Sequence, residues 1–209
     1  MGLLIGLVLF GSGGFAAGRL AAPRPPPSPV ASAATTPSAP ALRPYEQSQL
    51  GLNKPKFSGD LAAFARPWLP WISNCVTNAE PGGPRLNAGE ATRVACTYGA
   101  GTIYLIQYTS VAERDKARTR YLSQNIDARR LAPGVAEPTQ KTTNSGTSSG
   151  SYIEYAYKID ESSNRGGRVV AGLWWDNTAT AVAGYLLTYW SEGLGGSWPP
   201  LRDVWQRAS

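Results

Sequence analysis

Residues 168–190, RVVAGLWWDNTATAVAGYLLTYW, decide the fold. Two apolar runs, Arg168–Trp175 and Ala179–Trp190, flank Asp176-Asn177-Thr178. Asp, Asn and Thr favour a tight reversal, so the runs read as neighbouring antiparallel strands. Both are apolar at odd and even positions, which predicts central strands covered by helices. Trp174 and Trp175 are adjacent on a strand and therefore point to opposite faces. Large aromatics on central strands ordinarily belong to the core. The alternative is that Trp174, Trp175, Tyr189 and Trp190 form a ligand platform for a sugar or an apolar molecule, with one of the two adjacent indoles partly exposed.

Working outward, Ile153, Tyr155, Tyr157 and Ile159 alternate with Glu154 and Lys158, which predicts a half-exposed strand ending at the Asn164–Gly167 turn. Residues 133–150 carry Pro, Gly, Ser and Thr throughout and read as a long mobile loop. Ser110-Val111-Ala112-Glu113 is a capping box, so a helix starts there and is expected to reach about Gln124. Its apolar stripe reads as Val111, Ala117, Tyr121 and Leu122. Glu113, Arg114, Asp115, Lys116, Arg118 and Arg120 read as a solvated face. Residues 92–108, TRVACTYGAGTIYLIQY, form a hairpin about Gly99–Gly101. Leu61, Ala62, Phe64, Ala65, Trp68, Leu69 and Ile72 recur at helical spacing, with Ser58 or Asp60 as cap and Pro67 and Pro70 as breakers. Ser197-Trp198-Pro199-Pro200 opens a final short helix carrying Leu201, Val204 and Trp205. The expected class is α+β: an antiparallel sheet of about five strands with helices packed on it, in the order α-ββ-α-βββ-α.

Cys75 and Cys96 are the two cysteines of the chain. One follows the first helical segment and the other lies on the hairpin. An even count beside an export-like N-terminus favours a disulfide; two buried thiols are the alternative. Neither cysteine belongs to a C-x-x-C, and the chain has no histidine. That sets aside thiol–imidazole catalysis and leaves too few ligands for a zinc site. No phosphate loop, dinucleotide fingerprint or nucleophile elbow is present. The reading therefore assigns no catalytic residue, metal or cofactor. An enzyme built on this chain would have to use carboxylates, of which Asp160, Glu161 and Asp176 all fall at predicted turns.

The N-terminal residues 2–18, GLLIGLVLFGSGGFAAG, are uncharged and apolar. They reach roughly 25 Å as a helix, and Leu20–Ala22 extend them past Arg19. Residues 1–22 read as a transmembrane anchor or a signal segment. Ala16-Ala17-Gly18 offers small residues for cleavage, so secretion is the alternative. Residues 23–56 read as a disordered Pro/Ala/Ser-rich tether, with eight prolines in residues 23–44. Residues 57–209 form the domain. Arg19 and Arg24 follow the apolar segment, and taken alone they would hold the domain in the cytoplasm. The cysteine pair argues the reverse, and the expected location is a single-pass plasma-membrane protein with its C-terminal domain outside. The net charge is +6, but without Arg19, Arg24 and Arg43 only 17 basic residues face 14 acidic ones. That balance does not suit nucleic acid.

Several features together resemble the extracytoplasmic sensor-like domains of membrane Ser/Thr kinases and single-pass proteins of high-GC Gram-positive bacteria. They are the helix with LPWISNC, the strand ATRVACTY about twenty residues later, the aromatic strand after it, the helix ending in Tyr121-Leu122, the Trp-bearing strand GRVVAGLWWDN led by a Gly-Arg turn, and a closing helix with Trp205. Val170 and Ala171 stand where many such domains place a cysteine, so a second disulfide is missing, and no kinase accompanies the domain. The resemblance implies a sensor-like or accessory role without assigning binding residues. The expected function is non-enzymatic: a membrane-tethered extracytoplasmic domain binding a wall polymer, lipid or protein partner. The competing expectation is a carboxylate-dependent cell-wall hydrolase or modifying enzyme.

Overall fold

The computed structural model describes residues 41–208. The apolar segment of residues 1–22 and the tether up to Pro40 lie outside the described residues. No helix among the described residues is long and apolar enough to cross a membrane.

The elements run α1 (Pro44–Asn53), a 3-10 turn (Lys54–Lys56), α2 (Gly59–Ala65), β1 (Ser73–Thr77), β2 (Glu90–Tyr98), β3 (Gly101–Tyr108), α3 (Val111–Leu131), β4 (Thr139–Thr142), β5 (Ser149–Lys158), β6 (Val169–Asp176), β7 (Val182–Tyr189), α4 (Trp190–Leu194) and α5 (Pro199–Ala208). The strands form one antiparallel sheet in the order β1-β2-β3-β7-β6-β5-β4. The α+β class and the central place of β6 and β7 agree with the sequence. The sheet has seven strands rather than about five. The two additions are the edges, β1 and β4. Edge strands need neither length nor apolar alternation, because one ladder and little burial suffice. All four residues of β4 are exposed. That strand replaces the expected mobile loop, and its turn is tied by Thr143 N–H to Ser148 O at 2.9 Å.

The sheet divides the interior in two. Leu61 and Phe64 of α2, Leu194 of α4, and Leu201 and Trp205 of α5 cover one face with Val94, Cys96, Leu173 and Trp175. The other face holds Ile106, Tyr108, Ile153, Tyr155, Trp174 and Tyr185 beneath Ala117 and Tyr121 of α3. Both indoles of the Trp174-Trp175 pair are thus core, at 0 % and 2 % exposure.

Helix α3 corrects the expected pattern. Ser110 Oγ accepts from Glu113 N–H at 3.2 Å, as the capping box requires. The helix then continues to Leu131, beyond Gln124. Its inward line is Arg114, Ala117, Tyr121, Asn125 and Ala128, while Val111 and Leu122 are exposed. Arg114, expected on the solvated face, is buried and donates Nη1 to Asn177 O and, at 2.5 Å, to Thr180 O. Asn125 donates Nδ2 to Ala136 O at 2.9 Å and Glu154 O at 2.7 Å. Polar side chains with satisfied donors occupy places that periodicity reserves for apolar ones.

Strand β5 is the second correction. Glu154 is 1 % exposed rather than half-exposed. Its carboxylate accepts from Arg202 Nε at 2.7 Å and Nη2 at 2.8 Å, from Ala136 N–H at 2.7 Å and from Tyr152 O–H at 3.2 Å. An ion buried this deeply is tolerated because every oxygen has donors.

The third correction is α1, which lies inside the stretch read as tether. Pro44 at its first position suits helix entry. Glu46 reaches back to Arg43 N–H at 2.9 Å and to Arg43 Nε at 2.7 Å. At the other end Asn53 Nδ2 donates to Leu69 O at 2.9 Å and Ile72 O at 2.7 Å. These bonds join α1 to the segment leading into β1.

Candidate functional site

Cys75 on β1 and Cys96 on β2 are joined by a disulfide. It staples an edge strand of irregular register to its neighbour. In the chain-entropy account a loop of this length contributes about 3 kcal/mol. Reduction should therefore lower the thermal midpoint by about 6–12 °C, at about 2–4 °C per kcal/mol for a domain of this size. Differential scanning calorimetry with and without reductant checks this, alongside alkylation of unreduced full-length protein. Two freely alkylated thiols in that protein would remove the argument for an outside location.

The four aromatics expected as a platform do not form one. Trp174 and Tyr189 lie on one sheet face; Trp175 and Trp190 belong to the core of the other. Trp175 stacks on Trp68 at 4.9 Å between ring centroids, and Trp174 stacks on Tyr121 at 4.4 Å. Trp190 opens α4 and packs against Trp198 at 5.2 Å. Tyr189 is half-buried, with the Arg168 guanidinium 5.0 Å from its ring centroid and Arg165 Nη1 3.3 Å from its hydroxyl. It is the one member of the set with a substantial accessible face.

The carboxylates named for the hydrolase reading are occupied elsewhere. Asp176 is buried, pairs with Arg118 at 2.9 Å and accepts Ser151 N–H at 2.8 Å. Asp160 closes an exposed turn by accepting Ser162 N–H at 2.8 Å and Ser162 O–H at 2.6 Å. Those bonds hold its carboxyl below the usual carboxylate range. Glu161 pairs with Lys158.

A concavity lies where the sequence pointed least. Helices α1 and α2 and the turn between them enclose an open trough of about 680 Å³. Leu50, Phe57, Ala62 and Leu69 give it an apolar wall, extended by Pro55 and Ala63. Phe57 and Leu69 are buried, so this wall is continuous with the core of the domain. The two ionisable residues lining it are Lys54 and Arg66, both cationic and both exposed. Neither makes an ion pair among the described residues. Neighbouring Lys56 is different. It pairs with Glu80, and its ammonium with the Thr77 N–H pulls the Glu80 carboxyl down to about 2. The trough's volume falls within the range of about 300–1,000 Å³ found for small-molecule sites.

The trough is absent from the sequence-based expectations because α1 falls within the stretch that reads as tether. A usable signal was present: proline at the first helical position, glutamate two residues later and leucines at 50 and 52. The proline-rich residues just upstream masked it.

Comparison of the chain with family profiles, with characterised proteins and with solved structures finds no match.

Proposed function

We propose that this chain is a membrane-tethered extracytoplasmic protein whose folded domain binds an apolar ligand and carries out no reaction on it. The observation that carries this reading is the α1–α2 trough. It combines an apolar wall, a ligand-sized volume and no acid–base pair among its lining residues. The elements that build it are the first to follow residue 40 in the chain, next after the Pro-rich stretch and the apolar segment. The disulfide supports the oxidising side of the membrane. The resemblance to extracytoplasmic sensor-like domains accords with a binding role. Among the ligand classes expected from sequence, a lipid suits this lining better than a wall polymer, which would need a polar or aromatic-lined groove.

The test uses residues 41–209 and the neutral fluorophore N-phenyl-1-naphthylamine. Fluorescence should rise and saturate at one equivalent of probe. Ala63→Trp should abolish the rise, because Ala63 is exposed and lines the trough. Its melting curve should stay cooperative and close to that of the parent. An unchanged signal from Ala63→Trp would place probe binding elsewhere and refute the assignment of the trough.

A further inference from the structure

We infer that the trough selects a single-chain anionic amphiphile, its alkyl chain lying on the wall of Leu50, Phe57, Ala62 and Leu69 and its head group met by Lys54 and Arg66. This rests on the reading of the trough as a binding site and adds the sign and form of the ligand. An apolar concavity ordinarily takes an uncharged ligand, since burying an ion without a partner is costly. Here the lining carries charges of one sign only. Lys54 and Arg66 occupy the C-caps of α1 and α2, where a cation interacts favourably with the helix dipole. That accounts for one cation on each helix. It does not account for both lining the same apolar trough while neither finds a carboxylate among the described residues.

Neighbouring Lys56 is already neutralised. The same five-residue stretch, Lys54–Ser58, provides one lysine neutralised by Glu80 and one left over at the trough. Arg66 adds a planar donor set suited to a carboxylate or phosphate oxygen pair. An alkyl carboxylate and an alkyl phosphate share the required chemistry. A cationic amphiphile of equal chain length does not.

The experiment uses the full chain in nanodiscs of phosphatidylcholine and two photoreactive probes. One is hexadecanoate bearing a diazirine on its chain; the other is the matching hexadecanol. Labelled peptides are located by mass spectrometry. The carboxylate probe should label peptides within residues 49–69, and hexadecyl phosphate should compete while hexadecyltrimethylammonium does not. Lys54→Glu combined with Arg66→Glu should reduce carboxylate labelling about tenfold, the size expected for reversing two solvent-screened charges. Alcohol labelling should be unchanged by that pair. Ala63→Trp should block both probes. Equal labelling by both probes, insensitive to the charge reversal, would overturn anion selection and leave the apolar site standing. Labelling by neither probe would overturn both readings.

Discussion

Trp174→Ala and Trp175→Ala should each lower the unfolding free energy by about 3–5 kcal/mol, the range for deleting a large buried aromatic. On the α3 side, Trp174 stacks on Tyr121 and lies 6.3 Å from the Tyr108 ring centroid. On the other side, Trp175 is held by Trp68 and by Phe64, whose ring centroid is 6.1 Å away. Gly184 on β7 is part of the same fit. A Cβ there would come within 2.4 Å of the Trp175 ring, so the indole lies flat on bare backbone. Urea unfolding of each variant measures the loss. Because adjacent strand residues serve opposite faces, equal and large losses mean both cores are essential. A loss below about 1 kcal/mol at either position would contradict the burial and revive that indole as a surface platform.

Glu154→Ala should cost about 3 kcal/mol, the lower end of the range for breaking a buried pair. The lower end applies because the Arg202 side chain is 36 % exposed and regains water when its partner is lost. The carboxylate joins three parts of the chain: α5 through Arg202, the segment after α3 through Ala136 N–H, and β5 itself through Tyr152. The Arg202→Met, Glu154→Leu double variant should recover most of the loss, since an apolar pair of similar volume avoids desolvating two charges. Urea unfolding of both singles and the double completes the cycle. A double variant no more stable than Glu154→Ala would show that the hydrogen bonds to Ala136 and Tyr152, rather than the ion pair, carry the contribution.

Sequence alone determined the parts whose causes are local. The Gly99-Ala100 turn is two residues long between strands of matched register, so β2 and β3 followed directly from the residues. Two apolar runs around Asp176–Thr178 sufficed for β6 and β7. Ser110 is followed at its third position by Glu113, which marked the start of α3. Pro199-Pro200 did the same for α5. The number and setting of Cys75 and Cys96 favoured their pairing, and the structure decided it against two buried thiols. The strands and helices among these rest on a turn, a cap or a period contained within about twenty residues.

Tertiary structure decided whatever depends on a distant partner. Arg114 turns inward because Asn177 O and Thr180 O, far along the chain, complete its hydrogen bonds. Glu154 is buried because Arg202 comes from the last helix. Strand β4 is a strand only because β5 supplies its ladder. Helix α1 belongs to the domain because Asn53 finds two carbonyls beyond α2. The trough exists only once α1, the 3-10 turn and α2 come together around it. A polar side chain reads as solvent-facing until the group that satisfies it arrives from elsewhere. Burial of hydrogen-bonded charge and closure of sheet edges depend on such long-range partners, and local periodicity carries no record of them.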